Sequence, residues 1–194
     1  AITDLCVGQS AEVSTLFDAG RDTDAYMTSI TGKTAALFRA SCEIGAAAIG
    51  AGQDATRALA RYGTEFGLAF QIVDDVLDLV STTEALGKPA GNDIREGVYS
   101  LPVLITLSGP DGEALRARLG HPPTEAEVEH TLALVRAGSG PAQALEAARA
   151  HNRRAVEALA PLPPGPVTDG LARLPDAYID WVLADKAPRL DPTT

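Results

Sequence analysis

Gln71, Asp74, Asp75 and Asp78 are the residues whose types and spacing first suggest chemistry. Their offsets of zero, three, four and seven stack on one face of a helix with 3.6 residues per turn, so three carboxylates and an amide share one stripe. Like charges at these spacings each cost about a few tenths of a kcal/mol, and aspartate is a poor helix former, so something must compensate. Hard oxygen ligands gathered on one side suit Mg2+, which holds a few carboxylates, keeps waters and fills its other positions from phosphate oxygens. A DDxxD taken alone is more often a solvated acidic turn. Here Phe70, Ile72, Val73, Val76 and Leu77 border the stripe, and the acids are expected to line a cavity rather than face bulk water.

An anionic ligand held by such a metal also needs cationic partners. Lys33 and Lys88 are two of only three lysines in the chain, and Thr34 follows Lys33 directly. Two ammonium groups and a hydroxyl suit a diphosphate that the metal grips from its other side. Asp93, in the GKPAGND loop after the Asp-rich helix, is placed to orient Lys88, to cap the next helix or to add to the metal shell.

The elements that must position these groups read as helices throughout. Strand signals are weak, and Gly and Pro cluster between the helical stretches. Helices are expected over residues 9–17, 22–52, 53–80, 100–107, 124–137, 141–159 and 168–183, with a loop over 81–97 and a connector, PLPPGP, over 161–166. Asp22 or Thr23 offers an N-cap, Pro102 suits a first helical turn, and Thr124 with Glu127 forms a capping-box pattern. Leu59, Tyr62, Phe66, Phe70, Val73 and Leu77 recur at three- and four-residue spacings, the stripe of a core helix. Leu37, Cys42, Ile44 and an alanine run give the second helix a face suited to close packing. No internal repeat or linker is visible, and the fold class is all-α, one domain with long helices.

Composition narrows the partners. Hydrophobic residues make up 45% of the 194 residues, enough for a sizeable core. The net charge of −10 offers no footprint for nucleic acid and no polybasic patch for anionic lipid. Cys6 and Cys42 have no metal-ligand or disulfide spacing and read as buried free thiols of a reducing compartment. The most apolar long stretch, residues 35–52, is broken by Arg39 and Glu43, so no transmembrane segment is expected and the location read is cytoplasmic. Thirteen of the sixteen basic residues are Arg, which with abundant Ala points to a GC-rich bacterial coding sequence. His121, His130 and His151 read as surface residues, whereas Tyr178 and Trp181 are expected to pack the last helix.

Five segments in order resemble the trans-isoprenyl diphosphate synthases, the polyprenyl synthetase family: GQSAE at 8–12, KTAALF at 33–38, FQIVDDVLD at 70–78, GKPAGNDIREG at 87–97 and SLPVL at 100–104. The series covers about the first hundred residues, and the tail fits more loosely. The resemblance implies an isoprenoid-synthase-type helical bundle that condenses an allylic diphosphate with isopentenyl diphosphate, with Mg2+ as cofactor and homodimerisation common. Carried over residue by residue, it implies Asp74 as a direct metal ligand, with Asp75 and Asp78 in the inner or water-bridged shell. It implies Lys33 and Lys88 on the allylic diphosphate, Thr34 and Gln71 beside the developing cation, and Phe70 as a wall of the chain pocket, a residue equally explained as core.

Two departures qualify the resemblance. Val98 stands where many members carry a further Lys after the EG pair, a contact that Arg95 is placed to replace. The family's first Asp-rich motif and its isopentenyl-diphosphate-binding residues are not in this sequence. Residues 1–194 are therefore expected to be the carboxyl-terminal part of a single synthase domain, its amino-terminal half a missing partner and the chain inactive alone. Two alternatives use the same features. A class I terpene cyclase also ionises prenyl diphosphates with Mg2+ on Asp-rich helices. A non-catalytic regulatory subunit of a synthase would keep the fold while its acids served structure.

Overall fold

The computed structural model describes residues 1–81 and 89–187, and among these every regular element is helical. The order is α1 (Ile2–Val13), α2 (Thr23–Ile30), a π-helical turn (Thr31–Ala35), α3 (Ala36–Ala48), α4 (Gln53–Val80), α5 (Asn92–Glu96), α6 (Leu101–Leu107), α7 (Gly112–Arg116), α8 (Glu125–Ala137), α9 (Gly140–Ala158) and α10 (Pro166–Lys186). No described helix is long and apolar enough to cross a membrane.

α4 is the axis of the bundle and spans the expected residues 53–80. It packs mainly against α9 and α3. Its apolar stripe is the core: Tyr62, Phe66, Val73 and Leu77 are buried, and Leu59 and Phe70 are partly so. A larger apolar cluster fills the half around Ile72 and Val76, and a smaller one joins Tyr62 and Phe66 to Ala155 and Leu159. Around the smaller one runs an aromatic row. Phe70 stacks on Tyr178 with ring centroids 5.1 Å apart, and Phe38 lies 5.2 Å from Phe70 and 5.6 Å from Phe66.

The cap signals hold. The Asp22 side chain accepts from the Ala25 N–H, and the Thr124–Glu127 capping box is closed in both directions. The single helix expected over 22–52 is instead interrupted by the π turn, where the Ala36 N–H donates to the Thr31 carbonyl five residues back. The reason lies in a tight crossing with α1. A Cβ on Gly8 would lie 2.3 Å from the Lys33 nitrogen, and one on Gly32 would lie 2.8 Å from the Gly8 Cα, so only glycine permits the two backbones to touch.

Several expectations need correction. The first helix runs over Ile2–Val13 rather than 9–17, and two short helices, α5 and α7, were not anticipated. Leu37 and Ile44 are exposed, because α3 turns its other face, with Phe38 and Cys42, onto α4. Cys6 is exposed and Cys42 half-buried. Trp181 is 63% exposed, although Tyr178 does pack as expected. His151 is not a surface residue: its Nδ1 lies 2.8 Å from the Glu65 carboxylate between α9 and α4.

Candidate active site

Three elements bring the candidate residues together around the carboxyl-terminal half of α4. The Gly8–Gly32 crossing sets Glu12 of α1 against the π turn, where its buried carboxylate accepts from Lys33 Nζ at 2.7 Å and from Gln9 Nε2 at 3.3 Å. The next residue of the turn, Thr34, faces α4 and donates from Oγ1 to Gln71 Oε1 at 2.5 Å. Gln71 Nε2 in turn donates to Asp75 Oδ1 at 2.7 Å, and the Tyr26 hydroxyl of α2 donates to Asp75 Oδ2 at 2.6 Å. Thr34, Gln71, Asp75 and Tyr26 therefore form one continuous hydrogen-bonded chain across α2, the π turn and α4.

The acidic stripe does not share one environment. Asp74 is exposed, whereas Asp75 is 6% and Asp78 2% exposed. The reading of all three acids lining a cavity is thus corrected: two are taken into the protein and one stands at its surface. The Asp78 carboxylate accepts from the Asp93 backbone N–H at 3.1 Å, and its carbonyl accepts from the Gly91 N–H at 2.7 Å. Gly91 has φ of +76°, the left-handed turn this return onto α4 requires. Asp93 thereby lies in the first turn of α5 against the Asp-rich helix. Arg95, placed by the sequence to replace a Lys at Val98, pairs here with Glu125 and the Ala90 carbonyl. Lys88 lies outside the described residues.

Burial pushes the Asp75 carboxyl up to about 7; the hydrogen bonds from Tyr26 and Gln71 oppose the shift, while the charges of Asp74 and Glu12 add to it. Both donors to Asp75 are neutral. Desolvation lowers the pKa of Arg21, a buried guanidinium that lies 5.6 Å above the Tyr26 ring. Tyr26 and Arg21 escaped the sequence reading, and Glu12 was noticed only as part of a motif. A tyrosine seven residues before Lys33 carries no local sign that its hydroxyl meets a carboxylate on another helix.

Among the described residues no three His, Cys, Asp or Glu side chains converge as a complete metal cage. One exposed and one buried carboxylate side by side nevertheless fit the way Mg2+ is usually held, by one or two carboxylates with substrate phosphate and water. A divalent charge beside Asp74 would also relieve the electrostatics that raise Asp75. The residues present thus fit part of a Mg2+ site.

Comparison with known proteins agrees in sequence and fold. The family profile described as polyprenyl synthetase matches residues 1–135. The chain is 37% identical over 175 residues to a nonaprenyl diphosphate synthase of Mycobacterium tuberculosis, covering 89% of this chain and 52% of that protein. It is 30% identical over 173 residues to the heptaprenyl diphosphate synthase component 2 of Bacillus subtilis, covering 89% and 50%. Among solved structures, a polyprenyl synthase of Caulobacter crescentus, complexed with calcium and isoprenyl diphosphate, aligns with a TM-score of 0.85 and 33% identity over 91% of this chain and 55% of that one. A heptaprenyl diphosphate synthase of Staphylococcus aureus aligns with a TM-score of 0.86 and 29% identity, covering 92% and 56%. The chain spans about half the length of the curated relatives it matches.

Proposed function

From the premise that the chain belongs to the polyprenyl synthetase family, shown by the profile match over residues 1–135, we propose that it forms the diphosphate-binding wall of a Mg2+-dependent prenyltransferase. That enzyme would condense an allylic diphosphate with isopentenyl diphosphate into a longer trans-polyprenyl diphosphate. The carrying observation is the hydrogen-bonded chain from Thr34 through Gln71 and Asp75 to Tyr26, with Asp74 exposed beside it. The calcium and isoprenyl diphosphate named for the Caulobacter relative support a divalent cation and this ligand class.

In this reading Asp74, Asp75 and Asp78 would hold Mg2+, whose charge assists departure of the allylic diphosphate. Lys33 would bind that diphosphate, exchanging its pairing with Glu12 for phosphate oxygens, and Lys88 would bind it too. The Thr34 hydroxyl hydrogen is committed to Gln71, which leaves the oxygen's lone pairs to face the electron-poor carbon that forms; the Gln71 dipole lies beside it. Phe70, partly exposed in the aromatic row, would line the dry pocket that keeps water from that carbon. Asp93 would support the acids through α5.

Turnover would require a second acidic wall, supplied by the remainder of a synthase or by a partner component such as the name of the Bacillus relative mentions. The exposed Ile2, Val7, Ile44 and Ile49 on α1 and α3 are in keeping with such a partner or with a homodimer. A cytoplasmic location is part of this proposal. The test is incorporation of labelled isopentenyl diphosphate, with and without Mg2+ and allylic diphosphate, by the chain alone and together with a polypeptide carrying the first Asp-rich motif. Elongation only in the complete mixture is expected. Product from allylic diphosphate alone would indicate a cyclase, and no product in any mixture would favour a non-catalytic subunit.

A further inference from the structure

Tyr26 is 2% exposed, and its hydroxyl spans two helices to reach a carboxylate 49 positions along the chain. A buried tyrosine hydroxyl needs a partner, but a backbone carbonyl usually suffices. Here the partner is Asp75, a buried acid whose desolvation a neutral acceptor at that position would avoid. Both oxygens of that acid are engaged, Oδ1 by Gln71 at 2.7 Å and Oδ2 by Tyr26 at 2.6 Å, so the plane and rotamer of the carboxylate are fixed.

The Tyr26 ring is itself clamped. The Arg21 guanidinium lies 5.6 Å from the ring centroid and is 6% exposed as a residue. Its Nη2 donates to Ser29 Oγ at 2.9 Å and its Nη1 to the Tyr99 carbonyl at 3.3 Å, while Ser29 Oγ donates to the Ala25 carbonyl at 3.0 Å. A buried cation tied to α2 and to the segment before α6 is thus held over the face of the ring. The arrangement immobilises the hydroxyl rather than merely filling space.

We propose that Tyr26, braced by Arg21, is a positioning residue of the diphosphate site, holding Asp75 and through it the Gln71–Thr34 pair in the orientation that receives metal and diphosphate. The inference rests on the function proposed above. It goes further by assigning a role to two residues that touch neither substrate nor metal and act only through Asp75.

Tyr26→Phe tests it, because the ring and its contact with Arg21 remain and only the hydroxyl is removed. Two readouts separate positioning from stability. Without metal, the side-chain 1H–15N signals of Gln71 are expected to shift and exchange faster with water in Tyr26→Phe. With inorganic diphosphate present, Mn2+ affinity read by electron paramagnetic resonance is expected to fall about ten- to a hundredfold, the usual effect of removing a partner behind a metal ligand. Ala155→Gly, in the separate apolar cluster around Tyr62, is expected to lower the melting temperature and leave Mn2+ affinity unchanged. In an Asp75→Asn background, adding Tyr26→Phe is expected to change that affinity by less than about twofold, because the pair acts as a unit. Wild-type affinity in Tyr26→Phe, or an equal loss in Ala155→Gly, overturns the inference alone. A wild-type chain that binds no Mn2+ with diphosphate overturns the proposed function, and the role of Tyr26 with it.

Discussion

α4 carries two polar clusters about 15 Å apart along its axis, one around Glu65 and one around Asp75. Glu65 accepts from His151 Nδ1 at 2.8 Å and from the Arg154 guanidinium at 3.0 Å, so its charge is met from within the protein. Among the described residues Asp75 accepts from an amide and a phenol, and its carboxyl is pushed up to about 7. The first cluster ties α9 to α4 and is complete. Among the described residues the second is held by neutral donors, and an exposed acid, Asp74, adjoins it. The proposed site and the structural network on the same helix thus differ in the charge of the donors that meet their buried acids.

Substitutions can break the comparison at either cluster. The largest effect is expected from Gly8→Val, whose side chain would enter the backbone of the π turn. About 3 kcal/mol or more of stability should be lost in urea unfolding. The Lys33–Glu12 pair should part before the Glu65 cluster does, visible as earlier loss of protection in hydrogen exchange. Next, Glu65→Leu should cost about 1–3 kcal/mol by leaving Arg154 and His151 without their acceptor, with Mn2+–diphosphate affinity unchanged. Asp75→Asn should do the reverse, keeping or raising stability while lowering that affinity at least about tenfold. If both variants lose both properties, the two clusters are not separable.

Smaller effects sharpen the same contrast. Burial pushes the His151 imidazole below its ordinary value of about 6.5, against the opposing bond to Glu65, with Arg154 also lowering it. The folded chain therefore binds fewer protons at this site than the unfolded chain just below pH 6.5. Its contribution is complete above that pH and is lost as pH falls from there toward the lowered value, a slope that His151→Gln should flatten in pH-resolved melting. Smallest of all, Trp181→Ser should change stability by less than about 0.5 kcal/mol, because the indole is 63% exposed. Its fluorescence should report water in the wild-type fold.

What could be read from the residues was whatever depends on local spacing. The α4 boundaries, the Asp22 cap, the Thr124 capping box and the proximity of Gln71 to Asp75 all follow from helical periodicity and short-range hydrogen bonding. The π turn was not legible, because its cause is a backbone contact between Gly8 and Gly32 on separate helices. The split of the acids into two buried and one exposed likewise depends on which neighbours cover each side of the stripe. Tyr26 and Arg21 were missed for the same reason, and His151 was taken for a surface residue because its partner, Glu65, lies 86 positions away. Trp181 failed the other way: a large apolar residue was assigned to the core by type, whereas α10 turns it outward.

Asp74 and its neighbours are proposed to hold a divalent cation together with a diphosphate. Thermal unfolding of the chain with Mg2+ and inorganic diphosphate, each alone and both together, in wild type and in Asp74→Ala, measures this directly. At a hundred times the dissociation constant the pair should add about 2.7 kcal/mol of stability to the wild type, and the gain should vanish with a chelator or in Asp74→Ala. Wild-type melting that is the same with and without the pair, or an equal gain in Asp74→Ala, would contradict it.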